Sequence, residues 1–197
     1  MAAEQFSPGR DSSIAAFRTR PSMPSQIAFS IRHEPGEVVQ LSIQPINRSF
    51  AIEICGWRYE SPYDIYNWGS PPDKETLRYI LDPTFAFHAI VDAEGELAGF
   101  CSFGVDGQVP GGDYSVDALD IGMGVRPDLT GRGLGTTFAA AVTDFALGQY
   151  APQQLRVTVA TFNKRAQRVW EKLGFKKISE FHSEKSNVPF VILVRIL

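Results

Sequence analysis

The sequence predicts one α/β (α+β) domain built around a mixed sheet. Three observations carry this. The chain has 197 residues, enough for one full core and too few for two comfortable domains. Segments of strand character outnumber helical ones. Hairpins are interleaved with helical crossovers, a combination that places antiparallel and parallel neighbours in one sheet.

Residues 1–36 contain Pro8, Pro21, Pro24 and Pro35 among clustered serines and show no sustained apolar period. This segment reads as a flexible N-terminal extension, with the folded domain at 37–197. Its arginines suggest a transit peptide, but Glu4 and Asp11 count against one. One stretch, Ile27–Ile31, alternates and is suited to pair with the segment after Pro35-Gly36.

Val38–Ile46 reads as a strand, and 48–57 has a helical rhythm through Phe50, Ile54 and Trp57. Tyr59–Trp68 is an aromatic, proline-flanked loop. Asp73–Leu81 is a short helix ended by Asp82-Pro83. Phe85–Val91 and Leu97–Val105 form a hairpin across Asp92–Gly95. A glycine-rich loop then leads to strand Asp117–Val125. Helix Leu134–Leu147 carries Leu134, Phe138, Ala141, Val142 and Phe145 on one face. Strand Leu155–Ala160, helix Lys164–Leu173, strand Phe175–Phe181 and strand Val188–Ile196 complete the chain.

Composition narrows the function. Net charge is −3 and the pI about 5.6, so no overall positive field draws the chain to nucleic acid or an anionic membrane. No run approaches the roughly 18 apolar residues of a membrane span. Cys55 and Cys101 lack metal-ligand spacing and read as buried, reduced thiols of a cytoplasmic protein. His33, His88 and His182 are scattered, so no metal is expected.

The strongest local feature is Thr130-Gly131-Arg132-Gly133-Leu134-Gly135-Thr136, which lies after an apolar strand and opens an amphipathic helix. Glycines let backbone approach a ligand, and a helix start offers unpaired N–H groups and a positive dipole end. Together they make an anion seat; the competing reading is an ordinary glycine-rich connection. A P-loop would need a lysine after its last glycine, and none is present. The dinucleotide fingerprint fails on glycine spacing, and no acid stands about 20 residues further on.

Asp120–Gly135, with Val125-Arg-Pro127 and then Thr130-Gly-Arg-Gly-Leu-Gly135, resembles the acetyl-CoA motif of the GNAT N-acetyltransferase superfamily. Asn163-Lys-Arg-Ala166-Gln-Arg-Val-Trp170-Glu-Lys-Leu-Gly174-Phe175 resembles the second motif of that family. The resemblance covers roughly Val38 to the C-terminus. It implies a mostly antiparallel central sheet of about six to seven strands flanked by about four helices. It also implies acetyl-CoA as co-substrate, with contacts from Val125, Thr130, Gly131, Arg132, Gly133, Leu134, Gly135, Thr136, Asn163, Ala166 and Trp170. Thr130 stands where Gln or Arg is commoner. Trp170 replaces a tyrosine that protonates the departing thiolate, and an indole cannot serve as an acid.

The chemistry of amide formation sets further expectations. An alkylamine is neutral in only about one molecule in 10³ at pH 7, so a base helps. Asp120 is the candidate; its alternative is an acid paired with an arginine. Gly122 and Gly124 within a strand point to a bulge or a close approach. Asn163 suits an N-cap, and a cofactor-contacting or catalytic amide is compatible with that. Tyr59, Tyr63, Tyr66 and Trp68 suit a small polar or amine acceptor, or else form a satellite cluster. Neither cysteine falls in a motif, so direct attack is expected. The expected activity is transfer of an acetyl group to a primary amine of a small molecule or peptide, with a homodimer left open. The alternative is a non-catalytic acyl-CoA-binding or sensing domain.

Overall fold

The computed structural model describes residues 27–33 and 37–197. Of the extension expected over 1–36, residues 1–26 and 34–36 lie outside the described residues, and 27–33 form a strand. Among those described, eight strands and four α-helices run in the order β1 (Ile27–His33), β2 (Glu37–Pro45), α1 (Arg48–Gly56), α2 (Lys74–Leu81), β3 (His88–Val91), β4 (Leu97–Phe103), β5 (Leu119–Val125), α3 (Gly135–Tyr150), β6 (Gln154–Ala160), α4 (Lys164–Lys172), β7 (Lys176–His182) and β8 (Pro189–Ile196). The strands form one sheet in the order β1-β2-β3-β4-β5-β6-β8-β7. All neighbours are antiparallel except β5 and β6.

The strand count exceeds the expected six to seven because the alternating stretch at Ile27 pairs along its whole length with β2, Ile27 opposite Ile43 and His33 opposite Glu37. The strand expected at Phe85 starts later. Pro83–Phe85 is a 3-10 turn, and Ala86, at φ 45°, turns the chain into β3.

Helix starts are set by short polar side chains that accept orphan N–H groups. Asn47 accepts from Phe50, and Asp73 accepts from Thr76. The sheet is covered on both faces. On one, Phe138, Val142 and Phe145 of α3 pack against Ile43, Ile90, Leu119 and Leu155. On the other, Ile54 of α1 and Leu77 and Ile80 of α2 pack with Trp57, Trp68 and Phe87. Cys55 and Cys101 are both buried and free.

The glycines of β5 resolve as close approaches. The β4–β5 register runs without a shift from Gly99/Val125 to Phe103/Ile121. A Cβ at Gly122 would strike the Ser102 hydroxyl, and one at Gly124 would strike the Phe100 ring.

Candidate active site

Parallel pairing of β5 with β6 covers only Leu119 and Asp120 against Leu155 and Arg156. Beyond that point the strands part, leaving the β5 edge from Ile121 to Val125 unpaired on its β6 side. The gap widens into a cavity of about 1200 Å³ lined by Ile121–Val125 and Val157–Val159. A pocket for one drug-sized ligand is about 300–1,000 Å³, so the space suits a long ligand or two ligands meeting.

One end of the cavity reaches Thr130, Gly131, Gly133, Gly135 and Thr136. Gly131 (φ +76) and Gly133 (φ +82) take the left-handed conformation, which turns the chain sharply into α3 without side chains in the way. No side chain caps α3 at Leu134, which leaves the first N–H groups of the helix without a side-chain acceptor. Arg165, Arg168 and Lys172 of α4 also line the cavity. The three cations fall at i, i+3 and i+7 on one face of α4, a spacing legible in the sequence; the folding of α4 beside the loop brings that face to the cavity. Val125 and Ala166 line the passage between. Arg132 is exposed, and neither Arg132 nor Leu134 lines it.

The aromatic loop spans both arms of the splay. The Tyr59 hydroxyl donates to the Val125 carbonyl at 2.8 Å, at the end of β5. Tyr63 and Tyr66 pack their rings on Phe162, just after β6, at 5.7 and 6.3 Å. Arg165 stacks on Tyr63 at 4.5 Å and donates to its hydroxyl. Burial pushes the Tyr66 phenol above its ordinary value, although it bonds the Asn163 side chain and the Ala160 main chain. Tyr59, Tyr63, Tyr66 and Trp68 all line the cavity, so the loop forms its wall.

Asn163 accepts from the Ala166 N–H and so caps α4. Trp170 is buried, edge-on to Phe175 at 5.0 Å, and it also forms part of the cavity wall.

Asp120 lies at the vertex of the splay with 1% exposure. Arg156 Nε donates to Oδ1 at 2.6 Å, and Arg156 and the Gln108 amide donate to Oδ2, each at 2.8 Å. This is the arginine-paired arrangement, and Asp120 does not line the cavity. Arg156 is held further by the Val116 carbonyl and by the Tyr114 ring, 4.8 Å away. Burial raises the Asp120 carboxyl, against the pull of the guanidinium.

A different acid faces the space. Asp106 lies in the 3-10 turn Val105–Gly107 after β4, is 6% exposed and lines the cavity beside Gly122. The Tyr79 hydroxyl donates to its Oδ1 at 2.5 Å and the Ser102 hydroxyl to its Oδ2. Burial pushes its carboxyl up to about 6 against these two donors. Sequence reasoning passes over it because nothing local distinguishes an acid between glycines in a loop. Its partner Tyr79 stands on another element.

A sheet opened between two parallel strands, with a glycine-lined helix start at the opening, offers one continuous site for a long ligand with an anionic end. The match to known families agrees: residues 52–175 match the Acetyltransferase (GNAT) family, and the chain belongs to that family. A comparison with curated proteins finds no match. Among solved structures, a GNAT-family acetyltransferase from Bacillus anthracis has a TM-score of 0.63 at 14% identity, covering 86% of this chain and 97% of that one. A spermidine N-acetyltransferase chimera from Vibrio cholerae and hSSAT has a TM-score of 0.61 at 17% identity, covering 79% and 95%. The aminoglycoside acetyltransferase AAC(6')-Ib in complex with coenzyme A has a TM-score of 0.62 at 17% identity, covering 79% and 94%. At these identities the likeness shows the fold.

Among the described residues no cluster of metal-ligating side chains is found, and no helix is long and apolar enough to cross a membrane.

Proposed function

We propose that the protein is an N-acetyltransferase that moves an acetyl group from acetyl-CoA to a primary amine of a small molecule or peptide by direct attack. The observation that carries this is the continuous cavity from the glycine-lined start of α3, along the unpaired edge of β5, to the aromatic loop. The residues fit acetyl-CoA on their own chemistry: uncapped N–H groups and α4 cations for phosphates, and an unpaired strand edge for an amide-bearing arm. Gly131, Gly133, Gly135 and Thr136 would hold the pyrophosphate with Arg132 at the rim. Val125, Asn163 and Ala166 would flank the arm. A main-chain N–H on the β5 edge would polarise the acyl carbonyl as an oxyanion hole does. Acetyl-CoA supplies an activated acyl carbon and a thiol leaving group with a pKa near 8.5, which departs with modest help. That ease of departure offsets the absence of a tyrosine at Trp170.

The Trp170 substitution also favours a second reading, a domain that binds acyl-CoA without turning it over. Both readings require binding. Near 100 times Kd, CoA should stabilise the fold by about 2.7 kcal/mol, raising Tm by roughly 5–10 °C for a domain of this size. No shift at millimolar CoA in a folded sample would remove both readings. Release of free thiol from acetyl-CoA across a panel of primary amines, polyamines and peptide N-termini selects the transferase; binding without release selects the sensor.

A further inference from the structure

Resting on the transferase reading, we infer that Asp106 holds the ammonium of the acceptor and takes its proton, and that the acceptor enters as an alkylammonium ion between aromatic walls.

Position is the first argument. Asp106 is buried, yet it borders the cavity where β5 is free of β6. Gly122 makes this access: any side chain there would collide with the Ser102 hydroxyl and come within about 3.1 Å of Asp106 Oδ2. Charge is the second. Among the described residues no lysine, arginine or histidine forms an ion pair with Asp106; its two bonded donors are neutral hydroxyls. A buried carboxylate without a counter-ion is costly, and a cation placed against it removes that cost. Asp120 has no such need, because Arg156 already neutralises it.

The third argument is the wall. Trp57, Tyr59, Trp68 and Phe100 line the same cavity. Aromatic faces attract ammonium groups when water is excluded. Arg58, the nearby cation, is turned toward the Cys55 and Trp57 carbonyls.

The groups around Asp106 set its titration. Tyr79 faces it from α2 and Ser102 from β4. Asp120 of β5, paired with Arg156 of β6, lies behind Gly107. Arg58, Tyr59 and Glu60 border the cavity from the aromatic loop. With its carboxyl near 6, Asp106 is mostly ionised at pH 7 and sits close to the working pH of a base.

The step balances. A proton passes from R–NH3+ to the carboxylate, leaving a neutral amine lone pair. That pair forms the C–N bond as the C–S bond breaks, its electrons going to sulfur. The second N–H proton leaves the new amide, and the protons reach the thiolate and water. The net products are amide, thiol and one proton.

Asp106→Asn should lower kcat/KM for n-butylamine by about 10²–10⁴, with the CoA-induced melting shift unchanged. Calorimetry with n-butylammonium in the presence of CoA should show binding weakened tenfold or more. Tyr79→Phe, which removes one donor, should move the acidic limb of kcat/KM to higher pH. A purely structural role for Tyr79 would leave that limb in place. An active parent whose Asp106→Asn variant keeps kcat/KM within threefold at pH 7 overturns the proposal, as does an unmoved limb in active Tyr79→Phe. An inactive parent that binds CoA sinks the transferase reading instead. The amine calorimetry still decides Asp106, since equal binding by parent and Asp106→Asn overturns its role as ammonium partner.

Discussion

Asp120→Asn should cost about 3–5 kcal/mol of stability, because it strands the Arg156 guanidinium, which is 3% exposed. For a domain of this size that lowers Tm by roughly 10 °C. The pair sits where β5 and β6 make their parallel contact, Asp120 opposite Arg156 in register. It therefore fastens the vertex from which the cavity opens. Denaturant unfolding of Asp120→Asn, Arg156→Met and the double variant measures this. The double variant should recover much of the loss, since an apolar replacement of the guanidinium leaves no buried charge unpaired. Single variants within about 1 kcal/mol of the parent would show that the vertex is held by packing alone. Rates per folded molecule carry a second result. With the base at Asp106, Asp120→Asn should keep kcat/KM within a few-fold of the parent. A loss of about 10²–10⁴ that recovers as pH rises would return proton abstraction to Asp120.

Gly133→Val should weaken CoA binding by about 10²-fold and leave the melting curve of the free protein only modestly lowered. Its φ of +82° lies where a β-branched residue is strained by roughly 1–2 kcal/mol. Relieving that strain would move the N–H groups of the loop away from the phosphate position. Calorimetric titration with CoA measures the effect, and an unchanged Kd would place the phosphates elsewhere. Gly135→Val is a different probe, although both glycines belong to one sequence motif. A Cβ at 135 would lie 3.0 Å from Val169 Cγ2. That variant pushes α3 away from α4 and reports helix packing as well as ligand contact.

Much of the fold was legible because its signals are local. The period of Phe138, Ala141, Val142 and Phe145 marks α3, whose side chains are buried as that period requires. Asp73 and Asn163 mark helix starts because a short acceptor beside orphan N–H groups needs no distant partner. Gly131 and Gly133 mark the turn into α3 because its left-handed conformation excludes most other residues. The alternating stretch at Ile27 carried its strand pattern as well, and its pairing with β2 raised the strand count to eight.

The candidate site was legible in one half. The sequence by itself determined the left-handed glycine turn into α3 and the N-cap at Asn163, because both depend on backbone within a few residues. Which acid faces the cavity was decided by the tertiary structure. Asp120 and Asp106 are alike in sequence, each an acid in an apolar or glycine-rich setting. Asp120 meets Arg156, 36 residues away, through strand register. Asp106 meets Tyr79, 27 residues away, through the packing of α2 on the sheet. A carboxyl's charge and proton affinity depend on the donors and cations around it. Those neighbours are brought together only when distant segments fold onto one sheet.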